Sequence, residues 1–334
     1  MTRVAINGFG RIGRNFLRAY LERRPSYEII AVNDLGDPTT MAHLLRFDSI
    51  LGRLPDNVVV GPDTIAVGDL ELKALSVPEP ENLPWRELEV DVVVESTGRF
   101  KERDKAQAHL DAGANSVVIS AVANDADITV VMGVNDSAYD AERHRIVSNA
   151  SCTTNCVTPM AKVLHDAFGI ERGFMTTVHA YTASQRVLDA PHKDLRRARA
   201  AALNLIPTST GATRALGTVM PELEGKIGAI AIRAPIPVGS IIDLVVELSR
   251  AADRDELNAA FQEAAQGSLA GILSYADEPL VSSDIVHSPY SCVFDSQLTM
   301  SAGGLVKVFG WYDNEWGYSC RLVDLVERLV GKAS

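Results

Sequence analysis

The most constraining feature of the chain is a glycine pattern set between two elements. A strand-like run from Val4 to Asn7 leads into Gly8-Phe9-Gly10-Arg11-Ile12-Gly13, and an amphipathic segment with Phe16, Leu17, Tyr20 and Leu21 follows. Glycines at this spacing, between a strand and a helix, let backbone approach a pyrophosphate whose charge the helix N-terminus then meets. A second strand-like run, Glu28 to Asn33, ends beside Asp34, at about the distance expected of a ribose-binding acid. Gly8, Gly10, Gly13 and Asp34 are therefore expected to hold a dinucleotide. A carboxylate at Asp34 accepts hydrogen bonds from ribose hydroxyls and repels a 2′-phosphate, which favours NAD over NADP.

The alternation continues. Asp91 to Ser96, Ser116 to Ser120 and Ile128 to Val134 read as further short strands between helical patterns, so residues 1–150 are expected to form an α/β, Rossmann-type NAD-binding domain with a parallel sheet. Beyond Cys152 the texture changes to longer strand-like runs at Gly173 to Ala180, Ala229 to Arg233, Ile241 to Leu248 and Leu305 to Trp311. Residues 151–316 are expected to form an α+β catalytic domain with a mixed or antiparallel sheet. In the tail, Leu322, Val323, Leu325, Val326, Leu329 and Val330 make an apolar stripe, predicting that 317–334 is a helix docking back on the NAD domain.

Composition narrows the function. A net charge of −11 argues against nonspecific attraction to nucleic acid or to anionic membrane. No apolar run approaches the ~18–20 residues of a spanning helix. The first residues pass directly into the glycine motif without the regions of a signal peptide, and four cysteines are too few for a disulfide scaffold. A reducing, cytoplasmic location is expected. No second Cys/His pair completes a tetrahedral set, so no metal is expected. One basic run, Lys193 to Arg199, reads either as a solvated or interface face or as a site for a small anion.

Two of the cysteines lie in Ser148-Asn149-Ala150-Ser151-Cys152-Thr153-Thr154-Asn155-Cys156. A strand end at Ile146-Val147 and a helix body at Pro159 to Phe168 put Cys152 near a strand-to-helix junction, with Ser151 or Asn149 as cap. Such a position favours a thiolate. Lowering a thiol from about 8.5 to about 6 takes roughly 3.4 kcal/mol, whereas a helix terminus supplies at most ~2 kcal/mol. A second partner is required. Seven histidines are available, and sequence alone does not choose among them; His179, at a strand end beside polar residues, is the best local candidate. Cys156, one helical turn on, reads as a buried neighbour.

These motifs closely resemble the phosphorylating glyceraldehyde-3-phosphate dehydrogenase family of bacterial type. The resemblance spans nearly the whole chain: NGFGRIGR at 7–14, VNDL at 32–35, VVESTGRF at 93–100, SNASCTTNC at 148–156, TTVHAYT at 176–182, HKDLRRARAA at 192–201, PTSTGA at 207–212 and WYDNEWGYS at 311–319. It implies Cys152 as nucleophile and His179 as base, with a thioester on Cys152 cleaved by phosphate. It also implies two anion sites: Thr182 and Arg233 for the phosphate of glyceraldehyde 3-phosphate, and Ser151, Thr153, Thr210, Gly211 and Arg197 for inorganic phosphate. Asn314 is implied at the nicotinamide amide, Ser120 near its ribose, and the backbone of Arg11 and Ile12 at the pyrophosphate. The implied assembly is a homotetramer.

Several positions depart from the usual family pattern. Val122 stands where proline often follows Ser-Ala, Val238-Gly239-Ser240 replaces Asn-Val-Ser, and Ser76-Val77-Pro78 itself contains no basic residue. An erythrose-4-phosphate dehydrogenase shares the fold, but PTSTGA matches the triose enzyme better. A thiol hydrolase would not need the dinucleotide pattern, and a non-catalytic binding protein would not need the reacting residues.

Overall fold

A computed structural model describes residues 1–331 of the chain. It divides into two compact units, one of Met1–Val130, Ser137–Ala150 and the terminal segment from Ser319, the other of Val131–Asp136 and Ser151–Tyr318. The division is thus less simple than breaks at 150 and 316: residues 131–136 group with the second unit, and so does the first turn of the terminal helix, Trp316–Gly331. Residues 332–334 of that expected helix lie outside the described residues.

The first unit is built on a nine-stranded sheet. Its strands run, in spatial order, Ile128–Thr129, Ile146–Ser148, Ser116–Ile119, Val92–Glu95, Arg3–Asn7, Glu28–Asn33, Leu70–Leu75, Thr64–Val67 and Val58–Val60. All pairings are parallel except the last two, which add an antiparallel edge. Strands buried on both faces need continuous apolar runs, and Val92-Val93-Val94 and Val4-Ala5-Ile6 supply them. Arg3–Asn7 lies between Glu28–Asn33 and Val92–Glu95, so the strand order reverses beside it. Ligands of open parallel sheets bind at the carboxyl ends of strands at such a reversal, where Gly8 follows Asn7.

The strand expected at Ile128 to Val134 ends at Thr129. The next residues turn because Gly133 has φ +78° and side chains take over the backbone donors: Asn135 Oδ1 accepts from Val131 N–H and Asp136 Oδ1 from Gly133 N–H. The terminal helix packs within the first unit through Arg23, which pairs with Asp324 at 2.9 Å and donates to the Cys320 carbonyl.

The second unit holds an eight-stranded mixed sheet in the order Ile206–Thr208, Ile227–Ala234, Ile170–Ala180, Ser240–Leu248, Leu305–Tyr312, Cys292–Asp295 and Leu273–Ala276, with Met300–Ala302 pairing beside Leu305–Tyr312. Along Ser240–Leu248, buried Ile242, Leu244 and Val246 alternate with half-buried residues, the period of a strand with one face in the core. The helix Cys152–Phe168 packs against this sheet, with Cys156 and Met160 set against Gly310, and its residues Cys156, Val157, Met160 and Leu164 are fully buried. Among the described residues no helix is long and apolar enough to cross a membrane.

Candidate active site

The helix that carries the thiol begins at Cys152, earlier than the helix body expected from Pro159. Ser151 keeps an extended backbone and its Oγ accepts from Thr154 N–H at 3.1 Å, so Ser151, not Asn149, is the cap. Ala150, just before it, has φ +55°, a left-handed conformation that costs an L-residue about 1–2 kcal/mol. This strained corner sets Cys152 as the first helical residue.

His179 comes from the strand Ile170–Ala180, whose inward positions Met175, Thr177 and His179 are buried. Its Nε2 lies 3.4 Å from Cys152 Sγ. The neighbouring parallel strand places Arg233 directly opposite His179 in register. One guanidinium nitrogen lies 2.6 Å from His179 Nδ1 and 3.2 Å from the Ala180 carbonyl, while Nδ1 itself is 2.7 Å from that carbonyl. Arginine only donates and a carbonyl only accepts, so these two neighbours ask opposite things of Nδ1. With the proton on Nδ1, donated to Ala180, Nε2 keeps a lone pair facing the thiol.

The surroundings favour neutral groups. Burial pushes the Cys152 thiol up, opposed by the Arg233 guanidinium and by hydrogen bonds from Thr153. Burial also drives His179 down to about 3, and Arg233 acts in the same direction. The helix start therefore does not by itself lower the thiol, because burial outweighs it. A thiolate at Sγ and an imidazolium at Nε2 are favourable only as a pair, each the counter-ion of the other.

Tyr312 closes the site, and nothing in the sequence around it, inside the WYDNEWGYS motif, marks that role. Its hydroxyl is 3.0 Å from Thr153 Oγ1 and 2.8 Å from Thr177 Oγ1, and its ring meets His179 edge-on at 5.8 Å between centroids. Burial raises its phenol far above the usual range, so it stays protonated. The structure thus brings Cys152, His179, Arg233 and Thr153 together.

The remaining expected anion ligands lie in a separate set of contacts. Arg197 donates to Thr208 Oγ1 at 2.7 Å and sits 3.5 Å from Asp194. Thr210 Oγ1 accepts from Ala212 N–H, and Gly211 caps the helix Ala212–Val219 without a side-chain bond. Thr182 follows the His179 strand by two residues and bonds Gln185 and Ser184.

Comparison with known proteins decides the family. The model described as glyceraldehyde 3-phosphate dehydrogenase, NAD binding domain, matches residues 2–103, and that described as the C-terminal domain matches residues 151–314. The glyceraldehyde-3-phosphate dehydrogenase of Mycobacterium tuberculosis H37Rv is 61% identical over 337 residues, covering 99% of both chains. Glyceraldehyde-3-phosphate dehydrogenase 1 of Streptomyces avermitilis is 59% identical over 329 residues, covering 98% of both. The chain belongs to the glyceraldehyde-3-phosphate dehydrogenase family. It is an NAD-dependent dehydrogenase.

The first unit of this family member fits NAD. A cavity of about 230 Å³ is lined by Gly8, Gly10, Asp34, Val77, Thr97 and Phe100 among others. Gly8 has φ +94°, and a Cβ on Gly13 would lie 2.2 Å from the Gly8 carbonyl oxygen, so the turn closes only with glycine. At Gly10 a Cβ would meet nothing within 4 Å, leaving open space at the uncapped start of the helix Arg11–Arg23. That helix end, where the backbone of Arg11 and Ile12 lies, carries the positive end of the helix dipole that a pyrophosphate would meet. Asp34 accepts from Phe9 N–H at 2.7 Å and Gly36 N–H at 3.2 Å, which fixes its carboxylate at the cavity with lone pairs left for ribose hydroxyls. Ser120, at the end of Ser116–Ile119, bonds the Glu95 carbonyl through its own N–H. The four cysteines are free thiols, and no cluster of metal-ligating side chains occurs among the described residues.

Proposed function

We propose that this chain oxidises glyceraldehyde 3-phosphate with NAD and inorganic phosphate to 1,3-bisphosphoglycerate, reversibly, through a thioester on Cys152. The observation that carries the reading is the 3.4 Å approach of Cys152 Sγ to His179 Nε2. As Sγ adds to the aldehyde carbon, Nε2 takes the thiol proton and returns it to the new oxyanion, giving a thiohemiacetal. When bound, NAD supplies the acceptor for the hydride that leaves this carbon. His179 removes the hydroxyl proton at that step, and the carbonyl re-forms as a thioester on Cys152. A phosphate oxygen then attacks, the C–S bond breaks, and the thiolate recovers its proton from His179.

Thr182 and Arg233 are assigned to the substrate's own phosphate, and Ser151, Thr153, Thr210, Gly211 and Arg197 to the attacking phosphate. Arg233 suits this role because its guanidinium faces His179 and the Ala180 carbonyl with no carboxylate partner among the described residues. Gly8, Gly10, Arg11, Ile12, Gly13, Asp34, Ser120 and Asn314 are assigned to NAD. A homotetramer is the proposed assembly. It is supported by the segment 187–205, where Val187, Leu188, Leu195, Leu203 and Leu205 are all largely exposed, an arrangement that a neighbouring copy would cover. The free thiols suit a reducing cytoplasm.

An NADH absorbance assay with and without phosphate tests the reading. Without phosphate, a burst of at most one NADH per active thiol should precede slow hydrolysis; with phosphate, turnover should continue. Equal sustained NADH production in both conditions would overturn phosphorolysis.

A further inference from the structure

Ser240 has no assigned part in the reaction, yet it stands where three functional strands meet. It opens the strand Ser240–Leu248, which lies between the strand ending in His179-Ala180 and the strand Leu305–Tyr312 that leads to Asn314. The register sets Ser240 opposite Tyr312. Its side chain is fully buried. Ala180 N–H donates to Ser240 Oγ at 3.1 Å, and Ser240 Oγ donates to Asn314 Oδ1 at 2.9 Å.

The hydroxyl makes this an oriented pair of bonds. Ser240 has one hydrogen to give, and a buried hydroxyl hydrogen needs an acceptor. The Ala180 N–H can only donate, so Asn314 Oδ1 is the acceptor. Turning the amide over would set Nδ2 against the hydroxyl and strip its hydrogen of a partner. The oxygen of Asn314 is thereby fixed inward, and the NH2 group, for which no acceptor occurs among the described residues, is the end left for a ligand. The carbonyl of the same residue, Ala180, lies 2.7 Å from His179 Nδ1, so one residue of backbone orients both the base and, through Ser240, the amide.

We infer that Ser240 is a positioning residue that fixes the Asn314 amide with its NH2 donor presented to the carboxamide oxygen of the nicotinamide. This rests on the proposed assignment of Asn314 to that group. It goes beyond that assignment by saying which atom of Asn314 is used and which residue enforces it.

The test is calorimetric binding of NAD and of ADP-ribose, which lacks the nicotinamide, to the full chain free of cofactor. Ser240→Ala should weaken NAD roughly tenfold while ADP-ribose stays within about twofold, the scale of one oriented hydrogen bond. Asn314→Asp keeps an acceptor for Ser240 but removes the donor, and should weaken NAD at least as much with ADP-ribose again unaffected. Ser240→Ala combined with Asn314→Ala should bind NAD no more weakly than Asn314→Ala alone. If Asn314→Ala leaves the NAD to ADP-ribose ratio unchanged, the assignment of Asn314 fails. If Asn314→Ala changes that ratio and Ser240→Ala does not, the assignment stands and the role of Ser240 is overturned. Equal weakening of both ligands by Ser240→Ala would make it a structural residue only, and wild-type NAD affinity in Asn314→Asp would show that the donor is not the end presented.

Discussion

Two strand-to-helix junctions serve the proposed chemistry, and they are built in opposite ways. After Arg3–Asn7 the chain turns through glycines, and the helix Arg11–Arg23 starts without a side-chain cap. After Ile146–Ser148 the chain turns through Ala150 at φ +55°, and the helix Cys152–Phe168 starts under the hydroxyl of Ser151. The first junction removes side chains so that backbone can act as the ligand. The second spends a cap and a strained residue to hold one side chain in place. An anion needs several donors at once and no atoms in the way, whereas a nucleophile needs one atom aimed at one base. The same local architecture therefore gives a cradle or a reactive point according to whether Cβ atoms are absent or fixed.

The largest expected effect falls on the second junction. His179→Asn should lower the acylation rate by roughly 10²–10⁴ while leaving NAD binding in place. It should also move the pH profile of Cys152 alkylation upward, because burial alone pushes the thiol up and His179 is the counter-ion that makes its thiolate tolerable. A near-normal NADH burst with an unchanged alkylation profile would place the base elsewhere. A smaller effect, of the reverse selectivity, is expected at the first junction. In Gly13→Ala the new methyl group would lie 2.2 Å from the Gly8 carbonyl oxygen, so backbone must shift. A loss of about 2–3 kcal/mol in stability and at least about tenfold in NAD affinity should follow, with Cys152 alkylation unchanged. Unfolding by urea and calorimetric NAD binding would measure both. If NAD affinity survives intact, the turn is not the cradle.

The contrast also explains what sequence can and cannot disclose. Gly8, Gly10, Gly13 and Asp34 are readable because the first junction is local: spacing along one strand, one turn and one helix defines it. Cys152 is readable as a helix start for the same reason. The selection of His179 from seven histidines is not local. It depends on the register that lays Arg233 beside His179 and on the packing of the helix Cys152–Phe168 over that sheet, contacts between residues tens of positions apart. Tyr312 and Ser240 are harder still, since each bonds through its hydroxyl to residues far away in the sequence, and nothing in the local pattern marks a tyrosine or serine for such a bond. The overlong strand expected at Ile128 to Val134 failed for a related reason: its apolar residues hide a turn made by the side chains of Asn135 and Asp136.

The smallest expected effect separates charge from geometry at the first junction. Arg11, the first residue of the helix, is a cation placed where the helix field disfavours one. Asp48 answers it with bonds of 2.7 and 3.3 Å, and the same carboxylate accepts from Ile50 N–H at 2.8 Å and Leu51 N–H at 3.0 Å. Burial alone would raise the Asp48 carboxyl, but these donors outweigh it and hold the group below its ordinary value of 3.8. A carboxyl depressed by folding contributes stability that is complete above its unfolded value and is lost as pH falls through its folded value. Because Arg11 is about one-third exposed, with 35% of its side chain accessible, the contribution is discounted to ~1 kcal/mol. Asp48→Asn should therefore cost about that much near pH 6, and the gap from wild type should shrink below about pH 3.8, where wild type begins to lose the same charge. Urea unfolding of both proteins at the two pH values measures it. A gap that is equal at both would mean that shape and the two backbone bonds, rather than the ion pair, hold Asp48 in place, and the first junction would then rest on geometry alone.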